Sequence, residues 1–149
     1  MTSQHPKTSR SLPIALLRAR ERVMGPIRDM LSGVGLTEQQ WRVLRVLEED
    51  GPMEPTRIAE LACLLLPSLT RILQKLDDKG LITRRPDRDD KRKQIIQISK
   101  SGETLIATHL PASLAVLEQT KAQIGAERYE ALLDLLNAVE AAGSTGDPD

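Results

Sequence analysis

The sequence predicts a mainly α fold with a minor β component, and three observations carry that expectation. Apolar residues recur at helical spacing along most of the chain. Two short runs, Leu81-Ile82-Thr83-Arg84 and the β-branched Gln94-Ile95-Ile96-Gln97-Ile98, read instead as strands. Stops at Gly51-Pro52, Gly80 and Gly125 separate the helical stretches. Of 149 residues, 40% are hydrophobic and 28% charged, as expected of one soluble domain large enough for a core. Phe is absent and Trp41 and Tyr129 are the only aromatics, so the core must be aliphatic.

Residues 1–10 are polar and are expected as a disordered tail, and residues 142–149 likewise, leaving a single domain over 11–141. Ser11 to about Val34 reads as a first helix. Leu12, Leu16, Ala19, Val23, Ile27, Met30 and Val34 form one stripe, which Ala15, Leu17, Met24 and Leu31 widen beyond half the circumference. One packed face needs only about 100°, so this helix should meet both its own core and a second chain. Gly25-Pro26 should bend or interrupt it. Thr37 and Gln40 have the spacing of a capping box, which starts a second helix running to about Asp50 with Trp41, Leu44 and Leu47 inward.

Pro55 opens a short third helix with Ile58, Leu61 and Ala62 inward. A tight link, Cys63-Leu64-Leu65, leads to a fourth helix from about Leu66 to Lys79. Its buried face is Leu69, Ile72, Leu73 and Leu76, and its opposite face carries Ser68, Thr70, Arg71, Gln74, Lys75 and Lys79. Two short helices joined by a few residues are a helix-turn-helix. The strand, charged loop and strand that follow Gly80 form a hairpin wing. Ser99 to about Gln123 is helical again, with a kink expected at Pro111, and a last amphipathic helix holds Tyr129, Leu132, Leu133, Leu136 and Val139.

Lys+Arg and Asp+Glu both number 21, but the charges are not evenly spread. Residues 53–100 carry eleven basic and seven acidic groups, and residues 101–149 carry two and eight. A basic middle on a neutral chain suits a polyanion partner. In a helix-turn-helix the second helix enters the major groove of duplex DNA. Ser68 and Thr70 can bond phosphates or bases there, Arg71 can grip guanine, Gln74 can pair with adenine, and Lys75 can hold a phosphate. The wing places six basic groups, among them Arg88, Lys91, Arg92 and Lys93, against three acids in the ten residues 84–93. An arginine at its tip can enter a narrow minor groove, and Asp90, two residues before Arg92, can hold that guanidinium. The competing reading is a winged helix that binds only protein.

Other classes fall away. Cys63 is the only cysteine, so one chain has neither a disulfide framework nor a cysteine zinc site, and flanked by Ala62 and Leu64 it should be a small buried hydrophobe. His5 and His109 are far apart, so no metal site and no cofactor is expected. No apolar run approaches the roughly 20 residues of a membrane span, and Arg18 and Arg20 interrupt any signal-like core, so the chain reads as cytoplasmic with no membrane partner. No local nucleophile–base or acid pair suggests an enzyme. Arg20 falls inside the apolar arc of the first helix, where it needs a partner, either a salt bridge or a ligand carboxylate.

The run Ile58-Ala59-Glu60-Leu61-Ala62, then Thr70-Arg71-Ile72-Leu73-Gln74-Lys75-Leu76 and Lys79-Gly80-Leu81-Ile82, resembles the MarR family of bacterial regulators. So do the wing Asp87-Arg88-Asp89-Asp90-Lys91-Arg92 and the closing Ile98-Ser99-Lys100-Ser101-Gly102. Two positions depart from the family pattern: Cys63 stands where a glycine is common, and Leu65 where a Ser or Thr cap is common. The resemblance implies a winged helix-turn-helix over 37–99 with N- and C-terminal dimerisation helices, 11–34 and 100–141, in a homodimer on a near-palindromic operator. The segments Ser11–Glu21, Gly35–Val43 and Pro67–Thr70 further resemble the subfamily that regulates homoprotocatechuate degradation operons. That implies repression of an aromatic-acid catabolic operon, relieved by a small aromatic acid; the alternative within the family is a regulator that responds to another ligand or, through Cys63, to redox change. The family's effector pocket lies between the dimer region and the winged helix, which makes Arg18, Arg20, Trp41 and Arg45 the effector candidates.

Overall fold

The computed structural model of the chain describes residues 5–144. The expected tails at 1–4 and 145–149 lie outside the described residues. A 3-10 turn at Thr8–Arg10, inside the stretch expected as tail, leads into α1 (Leu12–Ser32). There follow α2 (Glu38–Asp50), α3 (Pro55–Ala62), α4 (Leu66–Asp78), β1 (Ile82–Pro86), β2 (Gln94–Ile98), α5 (Lys100–Ile124) and α6 (Ala126–Ser144). The last helix thus runs three residues past the expected boundary at 141. Among the described residues no helix is long and apolar enough to cross a membrane.

The chain forms two compact units, Met1–Ser113 and Leu114–Asp149. No described residue after Ser113 is buried, so the apolar residues of the second unit build no core of their own. Within it, Lys121 lies over the Tyr129 ring at 5.8 Å and near Glu130 at 3.9 Å.

The core of the first unit is aliphatic apart from Trp41. Leu44 and Leu47 of α2, Ile58 and Ala62 of α3, Leu69, Leu73 and Leu76 of α4 and Ile96 of β2 are all almost fully buried. Each such leucine or isoleucine contributes about 1.5–3 kcal/mol. Of the broad stripe expected on α1, only Ile27 and Leu31 are buried, and Leu12, Leu16 and Leu17 are exposed. Pro26 does not interrupt α1, which continues through it for a further turn and a half. Gln40 and Thr37 form both hydrogen bonds of the expected capping box, at 3.1 Å each.

Two helix ends have the same backbone form. At the end of α4, Gly80 takes φ +70° while Gly80 N–H donates to Asp77 O and Leu81 N–H to Leu76 O. This satisfies carbonyls the helix leaves open. At the end of α3, Leu64 N–H donates to Ala59 O and Cys63 N–H to Glu60 O, with Cys63 at φ +54°. Among the described residues Cys63 is the one non-glycine residue at positive φ, and it is exposed, not buried as expected. The tight turn needs a left-handed residue there, and that geometry swings the side chain into solvent.

The hairpin is antiparallel, with Ile82 opposite Ile98 and Arg84 opposite Ile96. Met53, between α2 and α3, adds a bridge to Ile96 through two hydrogen bonds of 2.9 and 3.0 Å. Ser99 donates its hydroxyl to Gly80 O at 2.7 Å and accepts from Gly102 N–H at 3.1 Å, so one side chain joins the end of α4 to the start of α5.

Candidate nucleic-acid interface

The helix-turn-helix is α3 and α4, and the wing is the 87–93 loop between β1 and β2. On α4 the buried leucines fix which face remains in water, and that face carries the residues expected from the sequence. Ser68, Arg71 and Lys75 are exposed and make no side-chain hydrogen bond or ion pair among the described residues. With Thr37, Gln39, Gln40, Leu64 and Ile72 they line a cleft between α4 and the start of α2. Thr70 donates back to Leu66 O at 3.1 Å, and Gln74 donates to Asp78 Oδ1 at 2.9 Å. Gln74 keeps its second amide N–H and its carbonyl oxygen for a base, and the Thr70 hydroxyl can still accept.

The acids of the wing are its frame. Asp87 N–H donates to Lys93 O and Lys93 N–H to Asp90 O, each at 2.9 Å, which closes the loop. Asp87 Oδ1 accepts from Asp89 N–H at 3.0 Å. Asp90 Oδ1 accepts from both the backbone N–H and Nε of Arg92 at 3.1 Å, and Oδ2 accepts from its terminal nitrogen at 3.3 Å. Arg92 is nonetheless 91% exposed, so a fixed guanidinium stands in open solvent. The hydrogen bonds from Arg92, and then the charge of Lys93, hold the Asp90 carboxyl below its usual range. Arg88 and Lys91 are exposed on the same loop. Lys93 is drawn back to Glu54, 3.5 Å away.

Sequence reasoning missed Arg84 as a positioning residue. Its Nε lies 3.3 Å from Asp77 Oδ2 on α4, an ion pair without hydrogen-bond geometry, and its terminal nitrogen donates to Gln94 Oε1 at 3.3 Å. It therefore ties the recognition helix to both wing strands. No local sequence pattern marks it: the strand register puts Arg84 opposite buried Ile96, hence on the inward face of the hairpin.

The structure engages the three arginines expected at an effector site with three different partners. Arg18 donates to Thr8 Oγ1 at 3.2 Å, and Arg45 pairs with Glu48 at 2.9 Å. Arg20 pairs with Glu38, the first residue of α2, which is the salt-bridge outcome. Arg28 completes that cluster, 2.6 Å from Glu21 and 3.9 Å from Glu38. The Arg28 hydrogen bond is the main cause of a lowered Glu21 carboxyl. Trp41 is buried, and His109 is half-buried. Among the described residues no group of His, Cys, Asp or Glu is placed to hold a metal ion.

Comparison with known proteins places these features in context. The MarR family pattern matches residues 36–93. The homoprotocatechuate degradative operon repressor of Escherichia coli is 38% identical over 139 residues, which is 93% of this chain and 94% of the relative. The structure of NadR in complex with 4-hydroxyphenylacetate matches with a TM-score of 0.80 at 32% identity, covering 93% of this chain and 97% of that one. The transcriptional repressor CouR bound to a 23-mer DNA duplex matches with a TM-score of 0.82 at 25% identity, covering 94% and 99%.

Proposed function

The chain belongs to the MarR family, and on that premise we propose that it is a DNA-binding repressor of an aromatic-acid catabolic operon. It is a regulator of transcription and not an enzyme, as its named relatives are. In this reading it acts as a homodimer on a near-palindromic operator, and 4-hydroxyphenylacetate, homoprotocatechuate or a related acid releases it. The E. coli relative's name and the 4-hydroxyphenylacetate complex of NadR support the substrate class, and the CouR complex supports the duplex.

The observation that carries the reading is the braced, exposed Arg92 on the wing together with Ser68, Arg71 and Lys75 on α4, exposed and without side-chain partners among the described residues. Ser68, Thr70, Arg71, Gln74 and Lys75 take the major groove. Arg88, Lys91, Arg92 and Lys93 take the phosphates and minor groove, with Asp90 holding Arg92. Arg18, Arg20, Trp41 and Arg45 are the effector candidates. A ligand carboxylate reaching Arg20 would compete with Glu38, the residue that ties α1 to the start of α2, so effector binding would loosen that contact. That gives the acid a differential affinity for two conformations, which a release mechanism needs.

The test is fluorescence anisotropy with the full chain and the DNA upstream of its own gene, in a salt series with and without each acid. Specific binding that weakens steeply with salt, as for roughly six to ten phosphate contacts, and that the acids reverse, supports the whole reading. Salt-independent or absent binding overturns it. Specific binding indifferent to every acid removes the aromatic-acid assignment and leaves DNA binding standing.

A further inference from the structure

The exposed large hydrophobic side chains fall into two sets. One lies on α1, α5 and α6. The other is an isolated pair, Leu65 and Leu66, at the N-terminal end of α4. Leu65 is 77% exposed, more than any other large hydrophobic side chain among the described residues, and Leu66 is 44% exposed. Leu65 occupies the N-cap position and makes no side-chain cap bond. A Ser, Thr, Asp or Asn there would stabilise the helix start, so the leucine forgoes a local gain and also places an apolar group in water. Pro67 follows at the start of the helix, and Ser68, Arg71 and Lys75 continue its solvent face as hydroxyl and cations.

An apolar pair set at the tip of a polar, cationic helix face fits a partner that is anionic at its rim and locally apolar within. The major groove of duplex DNA has that pattern: phosphates border it, and each thymine shows a 5-methyl group on its floor. The N-terminal residues of a recognition helix are the ones that reach base edges. We infer that Leu65 and Leu66 read thymine through its 5-methyl group, which makes them specificity-determining residues alongside Arg71 and Ser68. This rests on the DNA-binding reading above and adds to it an apolar element of operator recognition.

The experiment selects duplexes from a randomised pool with the full-length protein, then remakes the selected duplex with deoxyuridine at every thymine. That change removes the methyl groups and leaves base pairing intact. The wild-type protein is expected to lose about fourfold in affinity for each contacted thymine, hence about tenfold or more over two half-sites. The double variant Leu65→Ser, Leu66→Gln, shown to be folded by its circular dichroism melt, is expected to bind the two duplexes within a factor of about two. It should also bind the thymine duplex more weakly than wild type does. Equal wild-type affinity for both duplexes overturns the inference and leaves DNA binding intact. An equal uridine penalty in wild type and double variant also overturns it, because the penalty then comes from the duplex itself. Failure to enrich any duplex removes both readings.

Discussion

The pair Asp90–Arg92 shows what a two-residue spacing can do. An arginine side chain in water samples many rotamers, and ordering it on DNA costs conformational entropy. Asp90 orders it beforehand through two hydrogen bonds to the guanidinium, and a third from the Arg92 backbone N–H fixes the Asp90 carboxylate. Arg92→Ala is therefore expected to weaken operator binding by about 1–3 kcal/mol while the denaturation curve stays unchanged. Asp90→Ala, which keeps the cation and removes the brace, should lose less, up to about tenfold; unchanged affinity in Arg92→Ala takes the pair out of the interface, and unchanged affinity in Asp90→Ala alone refutes the brace. The pH dependence has a definite sign. Asp90 holds its proton less tightly folded than unfolded, so the brace is complete above the ordinary carboxylate value of 3.8 and is lost as pH falls through the lowered folded value. Wing order, read by NMR of Arg92, should be flat from pH 8 down to 5. The brace was legible in the sequence because both partners lie on one loop. Arg84 was not, because its partners Asp77 and Gln94 are brought to it by register and helix packing.

At the scale of elements, the repeated helix-end geometry gives a controlled comparison. Gly80 takes a positive φ at little steric cost, whereas Cys63 takes nearly the same conformation with a Cβ. Such a residue costs roughly 1–2 kcal/mol, so Cys63→Gly is expected to stabilise the chain by about 1 kcal/mol in urea denaturation. A loss of stability would mean that the thiol makes a compensating contact. Gly102 obeys the opposite constraint: a Cβ there would lie 2.4 Å from Leu81 O and 2.6 Å from Ile98 Cγ1. Backbone cannot yield at that distance, so Gly102→Ala should cost about 1–3 kcal/mol and loosen the joint Ser99 makes between α4 and α5. A midpoint equal to wild type would exclude the close approach. Capping box, glycine stops and strand pair were readable because each is a local pattern. The Met53 bridge, the uninterrupted α1 and the exposed thiol were not, since each depends on what packs alongside.

For the molecule as a whole the decisive quantity is apolar surface left in water. Leu12, Leu16 and Leu17 on α1, and Leu132, Leu133, Leu135, Leu136 and Val139 on α6, are exposed in the single chain. The sequence already marked the first helix as too broadly apolar for one core; the stripe in its C-terminal half is buried or half-buried around Ile27 and Leu31, and Leu12, Leu16 and Leu17 toward its start remain exposed. Patches of this kind signal an interaction surface, and in the proposed homodimer the second copy covers them. Sedimentation equilibrium should then give twice the 16.5 kDa chain mass. Leu12→Glu with Leu16→Glu provides the discriminating case. On a lone chain, substitutions at exposed positions are worth within about 0.5 kcal/mol. In a dimer they bury unpaired carboxylates, so the mass should fall to that of one chain, and the melting temperature should drop and cease to depend on concentration. Operator affinity should fall about a hundredfold or more as the two half-sites lose their linkage. A wild type sedimenting as one chain, or a double variant that stays paired, would refute the homodimer and with it the palindromic operator.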